Sequence, residues 1–208
     1  MPTAKSNNSN GSIQKATRIF RKSGGTLRSA AVFRAGIHPR TLYAMRDSGA
    51  LECVSRGIYR LADAPLISNP DLTVCAYKAP MAVVCLISAL AFHGITTQIP
   101  HHVHIAIAPG ARAPKHTHPP MMVYRFGGRS LTAGVEKHMI DGTPVRIFSA
   151  AKTVADCFKF RNRIGLDVAV EALRMHLRKR GKNVDQLIRF AEVNRVRRVM
   201  MPYIEATL

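Results

Sequence analysis

Residues 30–61 read AAVFRAGIHPRTLYAMRDSGALECVSRGIYRL, and the fold of the amino-terminal part turns on them. Gly36 separates two helix-like runs. Pro39 stands in the first turn of the second run, where its missing N–H is not needed. Leu42 and Met45, three apart, make one face of that helix apolar from Pro39 to about Ser48. Arg40, Thr41, Tyr43, Ala44 and Arg46 fall on its other faces. Two short strand-like runs follow, 51–54 and 58–61, around Ser55-Arg56-Gly57. The glycine supplies the turn backbone and Arg56 stands at the tip of a small hairpin.

Upstream, Ile13, Ala16, Ile19 and Phe20 form a helical stripe behind Ser12, a suitable N-cap, and Gly24-Gly25 closes that helix near Lys22. A second helix is expected over 27–35, with Leu27, Ala31, Val32 and Ala35 inward. Three helices and a basic-tipped hairpin within about fifty residues predict a winged helix-turn-helix domain over 12–65, preceded by a flexible tail, 1–11. In such domains the start of the third helix points into the major groove. Arg40 and Arg46 can then meet a base edge or a phosphate, Thr41 and Tyr43 can neighbour either, and Arg56 suits a minor-groove or backbone contact. Plain solvation is the alternative for all five. Tyr59 is expected to pack under the wing, and His38 to cap or brace the third helix.

The charge balance agrees with a polyanionic partner. The formal net charge is +19 over 208 residues. Lys and Arg outnumber Asp and Glu by eleven to three in residues 1–65, six to three in 66–145 and fourteen to six in 146–208, so the excess sits at the two ends. A basic surface attracts nucleic acid at long range and is held by counterion release. No apolar run is long enough to span a membrane, and MPTAKSNNSNGS lacks the apolar core of a signal peptide. The four cysteines, Cys53, Cys75, Cys85 and Cys157, lie apart in apolar settings. They are expected to be buried thiols of a cytoplasmic protein.

Beyond a proline-bearing connector, 62–70, an α/β domain is expected over 66–208, making the chain α+β overall. Its predicted elements are one or two helical turns at 71–77, a buried helix over 79–92, and strands at 102–108 and 121–126. A hairpin over 135–148 turns at Asp141-Gly142, a strong two-residue signal. The chain then becomes helical: a helix capped by Ser149, followed by 166–180, 184–193 and about 196–204. Arg178, Lys179, Arg180 and Lys182, with Arg195, Arg197 and Arg198, form basic clusters at helix ends. They suit nucleic acid, or equally offset helix dipoles.

Catalytic chemistry finds little support. His102 and His104 are spaced to share a strand face, and His116 and His118 could add two imidazoles for zinc, but no cysteine or carboxylate accompanies them and no metal is expected. Lys152, Thr153 and Asp156 form K-T-x-x-D, in which lysine and aspartate can pair across one helical turn. As a catalytic pair they lack a nucleophile or metal set. No phosphate-binding or dinucleotide glycine loop is present, and neither an enzyme nor a cofactor is expected.

Several runs in combination carry a family resemblance: R-G-I-Y-R-L at 56–61, V-C-L-I-S-A-L-A-F-H-G-I-T at 84–96 and I-P-H-H-V-H-I-A-I at 99–107. To these are added the Asp141-Gly142 hairpin, S-A-A-K-T-V-A-D-C-F-K-F-R at 149–161 and P-Y-I-E at 202–205. Over 12–206 the chain resembles the AbiEi-type antitoxins of abortive-infection, type IV toxin–antitoxin systems, also described as transcriptional regulators. The resemblance implies an amino-terminal domain that binds the operator of its own operon as double-stranded DNA and represses it. Arg40, Arg46 and Arg56 would belong to that contact. It also implies a carboxy-terminal domain with antitoxin activity against a nucleotidyltransferase-like toxin, opposed without a stable complex. Lys152, Thr153 and Asp156 lie in that domain's characteristic segment, as a structural brace first and as antitoxin residues second. Other readings stay open: an RNA-binding or tRNA-protecting protein using the carboxy-terminal basic helices, a regulator with no toxin partner, and an enzyme acting on a nucleotide or polyanion.

Overall fold

A computed structural model describes residues 4–65, 67–114, 118–179 and 183–207. The chain divides into two compact units, 1–78 with 139–144, and 79–138 with 145–208.

The first unit holds α1 (Ala4–Lys22), β1 (Thr26–Arg28), α2 (Ser29–Arg34), α3 (Pro39–Asp47), β2 (Leu51–Ser55), β3 (Ile58–Leu61) and α4 (Pro70–Lys78). Ala16, Phe20, Val32, Ile37, Leu42, Met45, Leu51, Tyr59 and Leu61 make its core. Tyr59 packs under the wing as expected, 7% exposed. The winged-helix arrangement is present, with two corrections. The second helix does not start at Leu27. Residues 26–28 instead form a strand that pairs antiparallel with β3, Thr26 opposite Arg60 and Leu27 opposite Tyr59, giving the order β1-β3-β2. A two-stranded wing would leave the β3 edge unpaired, and β1 covers it. The first helix also begins at Ala4 rather than Ser12, in a polar stretch where no apolar stripe announces a helix.

The second unit holds β4 (Val83–Val84), α5 (Leu86–Phe92), β5 (Val103–Ile107), β6 (Met121–Arg125), α6 (Arg129–Thr132), β7 (Val135–Ile140), β8 (Thr143–Phe148), α7 (Ala150–Lys159), α8 (Arg161–Ile164), α9 (Leu166–Arg178), α10 (Val184–Val193) and α11 (Arg197–Glu205). Residues 139–144, the tip between β7 and β8, count with the first unit. The sheet order is β6-β5-β4-β8-β7, with β5 parallel to β6, antiparallel to β4, and β4 parallel to β8. The helix expected over 79–92 is half wrong. Val83 and Val84 are the central strand, and only Leu86–Phe92 is helical. A short apolar run suits a buried strand or a buried helix equally, and here β-branched valines take the strand. Asp141 and Gly142 both have positive φ, 47° and 75°, as a tight two-residue hairpin requires.

Helix α7 is the centre of the helical part, packed by α5, α9, α10 and α11. Eight of its ten residues, Ala151 through Phe158, are buried. A helix surrounded on every side must bury whatever polar residues it carries. Here those are Lys152, Thr153 and Asp156.

Candidate nucleic-acid interface

The outward side of α3 is built from its cap. His38 precedes Pro39 in extended backbone, and its Nδ1 accepts from the Arg40 amide at 3.1 Å, satisfying one of the helix's orphan donors. The tautomer that makes this bond carries its proton on Nε2. Leu42 and Met45 are fully buried and fix which face looks out. On that face Arg40 is exposed, Thr41 half-buried, and Tyr43 42% exposed despite its ring.

The two arginines of α3 differ in kind. Among the described residues the Arg40 side chain has no hydrogen-bond or ion-pair partner. Arg46 is fixed: Nε donates to Asp47 Oδ1 at 2.8 Å, Nη2 meets the same oxygen at 2.7 Å, and the guanidinium lies 5.1 Å from the centre of the Tyr43 ring. The hydrogen bond to Asp47 raises the Arg46 pKa above its ordinary value.

Arg56 is exposed at the wing tip, beside Gly57, whose φ of 75° turns the hairpin. The Gly57 carbonyl accepts from the Ser29 amide at 2.9 Å, tying the turn to the start of α2. Arg60 is a residue that sequence reasoning did not separate from the surface cations. It is 6% exposed and belongs to the wing root, donating to Glu52 at 3.2 Å and to the carbonyls of Ala64 and Pro65. Arg40, Tyr43 and Arg46 thus share α3, with Arg56 on the same unit's wing. Asp47 was missed; the only sequence signal was its place beside Arg46 at the helix end.

The first unit also contains a cavity of about 610 Å³ between the end of α1, the wing root and the 139–144 tip. Its charged lining is compensated: Arg21 pairs with Asp63 at 2.8 Å, Arg60 with Glu52, and Asp141 accepts from the Ser68 amide at 2.8 Å. No sequence-predicted site residue lines it.

In the second unit Lys152, Thr153 and Asp156 are all at 0% exposure. Lys152 Nζ pairs with Asp156 Oδ1 and lies 4.2 Å from the Phe148 ring centre. The same Asp156 oxygen accepts from Asn194 Nδ2 at 2.7 Å. Ser130 Oγ donates to Asn194 Oδ1 at 2.9 Å and accepts from Lys159 Nζ at 3.1 Å. Thr153 Oγ1 returns to the Ser149 carbonyl at 2.9 Å. Burial pushes Asp156 up to about 6 against the opposing pull of Lys152, and pushes Lys152 below its ordinary value. Asn194 and Ser130 complete this network and were not foreseen, because nothing local marks them.

The basic clusters separate as well. Arg178 and Lys179 end α9, and Lys179 Nζ donates to the His93 carbonyl, so this pair does sit at a negative helix end. Arg180 and Lys182 lie outside the described residues. Arg195 holds a left-handed φ of 59° between α10 and α11. Arg197 and Arg198 open α11, the positive end, so dipole compensation does not account for them; Arg197 pairs instead with Glu192 at 2.7 Å.

The histidines do not assemble as their spacing suggested. His102 is exposed before β5 starts, whereas His104 is buried, its pKa lowered to about 4 by burial. His116 lies outside the described residues. Among the described residues no group of three or more His, Cys, Asp or Glu is placed to hold a metal. The thiols also divide: Cys75, Cys85 and Cys157 are buried, but Cys53 is exposed on β2, an edge of the three-stranded sheet. Among the described residues no helix is long and apolar enough to cross a membrane.

Comparison with known proteins supports the amino-terminal reading. Residues 14–62 match the family described as "Transcriptional regulator, AbiEi antitoxin". No curated protein sequence matches the chain. The fold resembles the crystal structure of the RV2827C protein from Mycobacterium tuberculosis, with a TM-score of 0.56 and 13% identity over 94% of this chain and 81% of that one.

Proposed function

We propose that the chain is a DNA-binding regulator of the AbiEi antitoxin type that represses its own operon. The observation that carries this is one helix, α3, whose Leu42 and Met45 are sunk in the core while Arg40, Tyr43 and Arg46 face out, on the same unit as the exposed wing-tip Arg56. That is the geometry a duplex groove and its flanking phosphates accept. The match of residues 14–62 to the AbiEi regulators supports the same reading.

The second unit, in this reading, supplies antitoxin activity against a nucleotidyltransferase-like toxin in the cytoplasm, without a stable complex between the two. Lys152, Thr153 and Asp156 act there as an internal brace, since fully buried side chains do not reach a partner. A contribution of the second unit to RNA binding is favoured by one observation, the exposed Arg195, Arg197 and Arg198 around the start of α11.

A reporter fused to the chain's own upstream region tests the regulatory half. Wild type represses it, and the Arg40→Ala/Arg56→Ala double variant, expressed to the same level, relieves repression. Equal repression by both removes α3 and the wing from the account. Co-expression with an adjacent nucleotidyltransferase-like gene tests the antitoxin half. Rescue of growth supports it, and continued growth arrest contradicts it.

A further inference from the structure

Resting on the DNA-binding reading above, we infer that Arg46 is a guanine-reading residue of α3 and that Asp47 is the positioning residue that aims it. By sequence Arg46 follows Met45, which is fully buried, so its backbone lies at the flank of the exposed face rather than its middle. Two neighbours draw its guanidinium onto that face. Asp47 Oδ1 takes both Nε and Nη2, at 2.8 and 2.7 Å, and Tyr43, one turn back, offers its ring at 5.1 Å.

The consequence is chemical. Asp47 occupies the Nε side of the guanidinium and Tyr59 adds a weaker side-chain influence, which leaves the fork made by Nη1 and the outer Nη2 hydrogen without a carboxylate partner. Two parallel donors in that fork match O6 and N7 of guanine in the major groove. An arginine drawn toward one geometry by a carboxylate and a ring loses less conformational freedom when it binds. Arg40 has the opposite character. It has no side-chain partner among the described residues and stands at the helix's first turn, where no neighbouring side chain aims it.

A carboxylate at a DNA-facing surface otherwise repels every duplex alike. That gives the test its contrast. The full-length protein is measured against the duplex upstream of its own gene and against a scrambled duplex, at matched salt, for wild type, Arg46→Ala, Asp47→Ala and Asp47→Glu. Each guanine of the preferred site is replaced in turn by 7-deazaguanine, which lacks the N7 acceptor.

The expected result is that Asp47→Ala lowers the ratio of specific to non-specific affinity by about three- to tenfold. It should also lose the wild-type sensitivity to 7-deazaguanine at one position per site. Arg46→Ala should lose sensitivity at the same position, and Asp47→Glu should regain part of it. If Asp47→Ala instead tightens both duplexes by one common factor, Asp47 is only a repelling charge and the assignment is overturned. A 7-deazaguanine effect that disappears with Arg40→Ala, and not with Arg46→Ala, also overturns it. A wild-type protein with no preference between the duplexes overturns the DNA reading itself, and this assignment with it.

Discussion

Lys152 and Asp156, one turn apart on α7, form an ion pair in which neither side chain is exposed. Removing two charges from water is costly, and their attraction repays it only when the remaining lone pairs are also satisfied. Asn194 does part of that work by donating to the carboxylate oxygen that Lys152 already holds. The other oxygen, Oδ2, has no hydrogen-bond partner among the described residues. The pair is therefore worth more as a device that sets how α7 meets the α10–α11 turn than as a source of net stability.

Breaking the pair from one side leaves an uncompensated buried charge. Lys152→Ala or Asp156→Ala should cost about 3–5 kcal/mol in urea unfolding. Replacing both partners together, Lys152→Met with Asp156→Leu, should cost far less than the sum. A single substitution that costs under about 1 kcal/mol would contradict the brace.

The pH dependence carries a sign. Burial raises Asp156 from 3.8 to about 6, so the folded chain holds that proton more tightly than the unfolded one. Its contribution to stability is present in full below 3.8 and is lost as pH rises through about 6. Asp156→Asn removes the titrating carboxyl group and stays neutral at every pH. The stability of wild type minus that of the variant should fall between pH 4 and pH 7. A flat or rising difference would show that the carboxylate is charged throughout that range.

Gly24 and Gly142 approach so closely that a Cβ built on either collides with the other's Cα, and both have positive φ. Gly142→Ala should destabilise the first unit by about 2 kcal/mol or more, from collision and backbone strain together. Gly49→Ala is the control. Its φ is also positive, 77°, but the new methyl meets nothing within 4 Å, so the cost should stay near 1 kcal/mol. Equal costs at the two positions would show that the close approach is not tight.

His38→Ala removes the side-chain acceptor at the start of α3. The expected loss is about 1 kcal/mol, with faster hydrogen exchange at the Arg40 amide and little change at Leu42 and beyond. Unchanged exchange at Arg40 would mean that the cap contributes nothing.

How much was legible follows from the range of the interactions. The α3 helix, the wing and the Asp141-Gly142 turn are written in neighbouring residues, through a proline, a three-residue apolar spacing and glycines at turns, and all three are present. Thr26–Arg28 was hidden because a three-residue strand is made by its partner, and Arg60 lies 34 residues downstream of Thr26. Val83–Val84 was hidden in an apolar run that helix and strand share. Lys152 and Asp156 were paired correctly from their spacing. Their full burial depends on helices arriving from later in the chain, and Asn194 lies 38 residues from Asp156. On α3 the cations were legible as residue types, but the difference between an unpartnered Arg40 and an Arg46 held by Asp47 belongs to rotamers, which composition and periodicity do not report.

The most direct test of the central claim is the affinity of the full chain for the duplex upstream of its own gene, followed across a salt series beside a scrambled duplex of equal length. The account predicts tighter binding to the upstream duplex at every salt concentration. It also predicts a log–log salt slope that becomes shallower by about one for Arg56→Ala, the loss of one phosphate contact. Identical affinities for the two duplexes, with a slope that Arg40→Ala and Arg56→Ala leave unchanged, would contradict it.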